Sequence, residues 1–108
     1  MIVSEADVEK ALQILDDEAG AAARAAHEYF SDLTKSVMAE LMTESNETAA
    51  NAKEMWARSQ PRFLEHLKTV GKFAREDYSW RARYAAAEAK IGIWRTEQST
   101  ARAAGGAG

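Results

Sequence analysis

Apolar residues recur at steps of three and four along most of the first forty residues of the chain. The series starts just after Ser4, whose side chain is suited to cap a helix, and it ends at Leu41. Such spacing places the apolar side chains on one face and predicts a single continuous helix over residues 5–42. The series consists of Val8, Leu12, Leu15, Ala19, Ala22, Ala26, Phe30, Leu33, Val37 and Leu41.

The polar segment 43–48 interrupts this pattern. It is rich in threonine, serine and asparagine, whose side chains bind their own backbone and favour turns or helix caps. A short helix is predicted to follow over residues 47–59, with Met55 and Trp56 exposed on one side. Pro61 then indicates the start of a new helix. Proline has no backbone N–H to donate, and the first turn of a helix does not need that hydrogen bond.

The last helix is predicted over residues 61–103, and 104–108 form a glycine-rich flexible tail. A seam alternates strictly between steps of four and three, as in a coiled coil. It consists of His66, Val70, Phe73, Asp77, Trp80, Tyr84, Ala87, Ile91, Trp94 and Gln98. A second stripe of small residues adjoins the seam and consists of Gly71, Ala74, Ala85 and Ala89.

These elements predict an all-α protein, a long helical hairpin of a long, a short and a long helix that forms one domain over 1–108. Two long helices alone bury only one face each, so we expect a homo-oligomeric helical bundle. Small residues around Gly20 are expected to let a partner helix approach closely. The predicted oligomer seam includes Phe73, Asp77, Trp80, Tyr84, Ile91 and Trp94.

The residue types that carry chemistry are sparse. The chain has no cysteine, and its two histidines, His27 and His66, are far apart in sequence. Neither histidine occurs in the Glu-x-x-His pattern of a di-iron bundle, and no glycine-rich phosphate loop is present. We therefore expect no catalytic residue, no cofactor, no metal site and no enzymatic activity.

Asp77 is the exception, because it is a carboxylate on an apolar seam. An unpaired buried carboxylate costs several kcal/mol, so Asp77 needs a partner, and Arg81, Arg24 or Lys35 could supply it. We interpret Asp77 as one member of a buried ion pair that fixes the register of the helices. His66 is interpreted as a hydrogen-bonded packing residue, since no acid or nucleophile accompanies it.

Charge divides unevenly between the two parts of the chain. Residues 1–60 carry a net charge of −7 and residues 61–108 one of +4, which gives the total of −3. One interpretation is attraction between antiparallel helices, and the other is a basic half that meets a polyanion. Cations interleaved with aromatic residues suit single-stranded nucleic acid. The predicted nucleic-acid or partner contacts are Arg75, Arg83, Lys90 and Arg95.

Three segments, 26–42, 58–67 and 80–102, resemble small helical proteins of tailed bacteriophages and prophages. Trp94-Arg95-Thr96 is the most specific piece of this resemblance, whose segments are spread over residues 26–102, nearly three quarters of the chain. The resemblance implies a small phage accessory protein of DNA recombination or replication that binds DNA or a phage or host protein. It assigns no catalytic residue. The alternative is a pure protein-binding module, such as an inhibitor of host defence or a virion assembly factor.

A second resemblance is to secreted, dimeric helical hairpins that carry Trp-x-Gly at the bend. Trp56-Ala57-Arg58 occupies the corresponding place without the glycine, and Tyr84 and Glu88 match the Tyr-x-x-x-Glu pattern near the end of those proteins.

No apolar run approaches the roughly 18 residues that span a bilayer. We therefore expect a cytoplasmic protein of the host cell with no membrane partner.

Overall fold

The computed structural model describes residues 3–106, and most of them lie in four α-helices. In chain order these are α1 (Glu5–Asp16), α2 (Glu18–Glu44), α3 (Ala50–Arg58) and α4 (Pro61–Gly106). The described residues include no β-strand, so the predicted all-α class is confirmed. Within that part of the chain, none of the helices combines the length and apolar character that a membrane span requires.

Helix α1 begins with a reciprocal pair of hydrogen bonds. The Asp7 amide donates to the Ser4 hydroxyl at 3.1 Å, and the Ser4 amide donates to the Asp7 carboxylate at 3.1 Å. This capping box gives partners to two amide groups at the helix start. The helix therefore starts where the sequence predicts.

Asp17 interrupts the helix that was predicted over residues 5–42. Its backbone is extended, with φ −74° and ψ 120°, and its side chain accepts a hydrogen bond from the amide of Ala19 at 2.9 Å. A short aspartate side chain offers nearby amides an alternative to helical bonding, so Asp17 ends α1 and caps the start of α2. The prediction of one continuous helix was wrong at this residue.

Three predicted positions near the interruption are exposed, namely Leu12, Ala19 and Ala22. Ala11 and Ala23 are buried instead. The predicted positions from residue 26 to residue 41 are all buried or half-buried, so the three–four spacing identified the buried face over most of α2.

The segment between α2 and α3 is the turn that the polar residues predict. Helix α3 spans Ala50–Arg58 and is shorter than the predicted 47–59. Met55 and Trp56 both belong to α3. The side chain of Met55 is 72% exposed, whereas that of Trp56 is half-buried. After the cap residue Ser59, α4 starts at Pro61 and extends to Gly106, three residues beyond the predicted end.

The chain divides into two compact units. Unit 1 comprises Met1–Gly20 and Tyr78–Gly108, and unit 2 comprises Ala21–Asp77. In unit 1, Ala11 of α1 packs with Ala87 and Ile91 of α4, against the half-buried Ile14 and Leu15. In unit 2, the buried residues Leu41, Ala57 and Phe63 pack together, against Val37, Met38, Met42 and Trp56.

The predicted seam of α4 is the face that is buried within the single chain. All ten seam positions are buried or half-buried, and Asp77, Ala87 and Ile91 are the most deeply buried of them. An uninterrupted helix keeps its phase, so the four–three spacing identified a buried face, while the role of this face as an oligomer seam is not shown. Oligomeric assembly stays a prediction.

Candidate functional site

Two neighbouring aromatic residues of α4, Trp80 and Tyr84, lie in the part of the helix that belongs to unit 1. Tyr84 makes a hydrogen bond and packs closely against a glycine. The rings of Trp80 and Tyr84 lie 6.0 Å apart and are tilted by 46°. The Tyr84 hydroxyl donates to the backbone carbonyl of Asp17 at 2.9 Å. The Tyr84 ring covers Gly20, where a Cβ atom would overlap the hydroxyl and lie 2.7 Å from Cε2. The break at Asp17 therefore fixes Tyr84.

An open groove of about 480 Å³ lies beside these rings in unit 1, and we call it the Trp80 groove. Its walls combine two cations, an amide, a carboxylate, an aliphatic side chain and an indole. The guanidinium of Arg83 lies 4.7 Å from the centre of the Trp80 ring, within the range of a cation–π interaction. The lining residues are Lys10, Gln13, Ile14, Asp17, Trp80 and Arg83.

Of the four predicted contact residues, only Arg83 lines this groove. Lys90 follows it by two helical turns and therefore lies on the same side of α4. Arg95 is twelve residues from Arg83, about a third of a turn away around the helix. Arg75 belongs to unit 2. All four side chains are exposed.

Lys10 and Gln13 are groove residues that the sequence reasoning missed. Lys10 is the only cation in α1, and this was the available signal.

Lys90 is also close enough to α1 to affect the pKa of Asp7. Hydrogen bonds from the Ser4 backbone and hydroxyl lower the pKa of Asp7, and the charge of Lys90 lowers it further.

Charge is nearly balanced within each unit. Unit 1 contains eight acidic and six basic residues, a net charge of −2, and unit 2 contains nine and eight, a net charge of −1. Each unit therefore combines residues from the acidic part of the sequence, with net charge −7, and from the basic part, with net charge +4. This distribution matches the interpretation in which opposite charges attract antiparallel helices.

Asp77, in unit 2, is buried as expected, and its carboxylate meets a histidine. Asp77 Oδ2 lies 2.8 Å from His27 Nδ1, and the carboxylate side chain is 1% exposed. Sequence reasoning did not name His27 as a partner. Arg24, one of the cations that it did name, pairs with Glu28 at 3.0 Å.

The same two helices of unit 2 carry further paired side chains. The rings of Phe30 and Phe73 are stacked, with centres 4.9 Å apart and planes 1° from parallel. His66 Nε2 lies 2.9 Å from the Thr34 hydroxyl, which gives His66 the expected hydrogen-bonded packing role. Two polar pairs and one aromatic stack therefore fix how α2 aligns with α4 in this unit.

A second groove, of about 330 Å³, lies in unit 2. Its floor is apolar, and Arg58 on its rim is paired with Glu54 at 2.8 Å. Methionine side chains make such a floor adaptable. The lining residues are Thr34, Lys35, Met38, Ala39, Met42, Glu54, Arg58 and Phe63.

Residues 3–106 contain no cluster of three or more histidine or acidic side chains that could hold a metal ion. Comparison with protein-family models, curated proteins and solved structures found no match. The fold and the site therefore describe an all-α protein with a groove that is lined by cations and an indole ring.

Proposed function

We propose that this protein is a non-catalytic accessory protein that binds single-stranded nucleic acid through the Trp80 groove. The supporting observation is the placement of Lys10 and Arg83 around the half-buried indole of Trp80. Single-stranded nucleic acid is bound by cations that meet phosphates and by flat groups on which bases stack. Indole rings and guanidinium planes both serve as stacking surfaces.

The groove is small, which sets the scale of the proposed interaction. It offers two cations and one aromatic ring, so it accommodates one or two nucleotides. Lys90, on the same side of α4 as Arg83, extends the positive charge along the helix. The role in recombination or replication, in a tailed phage or prophage, rests on the resemblance of segments 26–42, 58–67 and 80–102.

The test is fluorescence anisotropy with labelled single- and double-stranded DNA of equal length over a salt series. Binding to phosphates makes the affinity fall as salt rises, by a slope of about 0.7 per contact for single strands. Lys10→Gln and Arg83→Gln should each flatten the slope by about that amount. Arg102→Gln, an exposed arginine of the same helix outside the groove, is the matched control. Absence of binding at low salt would refute the proposal.

A protein-binding role is the second candidate, and the balanced charge of both units favours it. A unit with a small net negative charge is poorly suited to an extended polyanion, whereas protein interfaces combine apolar centres with mixed charges. In this case the protein would show no affinity for DNA of either form. A partner that is captured by the wild type and lost on Arg83→Gln would then assign the Trp80 groove to a host or phage protein.

A further inference from the structure

The Trp80 groove contains a carboxylate that phosphate binding does not explain. Asp17 lines the groove together with Lys10 and Arg83, the two cations of the proposed contact. A carboxylate repels a phosphate because both groups are negative, whereas it accepts hydrogen bonds from the N–H groups of a base. The presence of Asp17 therefore points to a base in the groove and not to phosphate alone.

Asp17 is held in place by hydrogen bonds that leave part of its carboxylate available. Its amide donates to the carbonyl of Ile14 at 3.3 Å, and its own carbonyl accepts from the Tyr84 hydroxyl at 2.9 Å. Oδ1 accepts from the amide of Ala19 at 2.9 Å, and within residues 3–106 the carboxylate has no other hydrogen bond and no ion pair. Because each carboxylate oxygen can accept two hydrogen bonds, the exposed Asp17 side chain can still accept two from a ligand.

Gln13 is a second polar residue of the groove with unused hydrogen-bonding groups. It precedes Asp17 by about one helical turn and lines the same groove. Its exposed side-chain amide makes no hydrogen bond within the described part of the chain, and it can donate as well as accept. The amide donor of Gln13 and the two acceptors of Asp17 together complement a flat group that presents one acceptor and two donors.

We propose that the Trp80 groove selects guanine among the bases of single-stranded DNA, and that Asp17 determines this specificity. The Watson–Crick edge of guanine presents the acceptor O6 and the donors N1–H and N2–H. The two donors fit one carboxylate, and O6 can accept from the Gln13 amide. Adenine and cytosine each present a single donor group on this edge, and thymine presents one N–H between two carbonyls that repel a carboxylate. This inference rests on the proposed function, since it names the base that accompanies the phosphates.

The aromatic part of the groove provides a surface for the base. The Arg83 guanidinium lies 4.7 Å from the centre of the Trp80 ring, so the two flat groups form a layered surface on which a base can stack. The groove, of about 480 Å³, has room for a base beside this surface. Only a single strand leaves the Watson–Crick edge of its bases unpaired. The preference for guanine should therefore be absent with duplex DNA.

The first test compares short oligothymidine strands that differ at one central base, by fluorescence anisotropy at one low salt concentration. The central base is thymine, guanine or inosine, and inosine lacks only the 2-amino group of guanine. The wild type should bind the guanine strand roughly tenfold more tightly than the all-thymine strand, as expected for a bidentate contact to a base. The inosine strand should lose most of this gain, because it offers the carboxylate one donor instead of two.

The second test is Asp17→Asn, which replaces one acceptor oxygen by a donor amide. Asparagine caps helices as well as aspartate does, and the carbonyl that binds Tyr84 is unchanged, so the helical content should be that of the wild type by circular dichroism. The variant should bind the guanine and thymine strands with similar affinity. Asp16→Asn is the matched control, because it removes the same charge from an exposed neighbour that does not line the groove, and it should keep the preference for guanine.

The outcomes separate this inference from the proposed function. Equal affinity of the wild type for all three strands would overturn the guanine specificity and leave the proposed function in place. A preference for guanine that persists in Asp17→Asn would overturn the assignment to Asp17. Absence of binding to every strand would overturn both proposals. The inosine comparison uses the wild type alone, so it decides the specificity even if a substitution disturbs folding.

Discussion

The contact between Gly20 and Tyr84 allows a prediction in which one substitution changes sign with its background. A Cβ atom on Gly20 would overlap the Tyr84 hydroxyl and Cζ, so the ring would have to move. Its movement would break the 2.9 Å hydrogen bond to the Asp17 carbonyl. Gly20→Ala should therefore destabilise the protein, although alanine is the better helix former.

The magnitude follows from three contributions. Overpacking costs about 1–3 kcal/mol, and the lost hydrogen bond about 1 kcal/mol. Replacing glycine by alanine in a helix contributes up to about 1 kcal/mol in the opposite direction. We expect Gly20→Ala to lower the free energy of unfolding by about 1–4 kcal/mol. In a Tyr84→Ala background the space is empty, so Gly20→Ala should be neutral or stabilising by up to about 1 kcal/mol.

The assay is urea denaturation followed by circular dichroism, at one protein concentration because association shifts the midpoint. The four proteins of the double-mutant cycle give the coupling between Gly20 and Tyr84, expected at about 2–4 kcal/mol. Tyr84→Phe is the matched control, since it removes the hydroxyl but keeps the Cζ atom that blocks Gly20→Ala. Equal losses on Gly20→Ala in the wild-type and Tyr84→Ala backgrounds would refute the reasoning.

Two further predictions concern single carboxylates. Asp77→Ala should lower the free energy of unfolding by about 2–4 kcal/mol, because it removes a buried carboxylate that pairs with the half-buried His27; Glu76→Ala, at the exposed neighbouring position, should change it by less than about 0.5 kcal/mol. Equal melting temperatures for the two variants would mean that Asp77 reaches water. The lowered pKa of Asp7 implies stability that is present above its ordinary pKa and is lost as pH falls through the lower folded-state value. Carboxyl NMR titration should show this pKa rise in Ser4→Ala, which removes the hydroxyl but keeps the backbone amide of residue 4; an unchanged pKa would exclude the Ser4 hydroxyl as a cause.

Much of α4 could be predicted from the sequence because the helix is uninterrupted. Every seam position from His66 to Gln98 is at least half-buried, since regular spacing carries the phase through more than eight turns. In the first forty residues the same counting found most of the buried face but missed the end of α1 at Asp17. There the run Asp16-Asp17-Glu18 contained the signal, because acidic residues are unfavourable at the end of one helix and favourable at the start of the next.

The candidate site was less predictable, because it depends on which turns of two helices meet. Burial of Asp77 followed from its place on the seam, but the partner His27 is fifty residues away and depends on the alignment of α2 with α4. Likewise, Arg83 was identified within a basic, aromatic stretch, whereas Lys10 joins it only through the packing of α1 on α4 in unit 1. Spacing within one helix carries no information about these contacts.

The structure also determines which substitutions can test binding without disturbing the fold. Trp80 belongs both to the groove and to the packed face of α4, and its ring lies beside Tyr84, which depends on Asp17. Its removal would therefore lower stability and affinity together, and a loss of binding would not identify a contact. Lys10 and Arg83 are exposed, so their glutamine variants can alter affinity while the buried face stays intact. The Lys10→Gln and Arg83→Gln variants therefore test the proposed DNA contact, because they change the groove and leave the buried core unchanged.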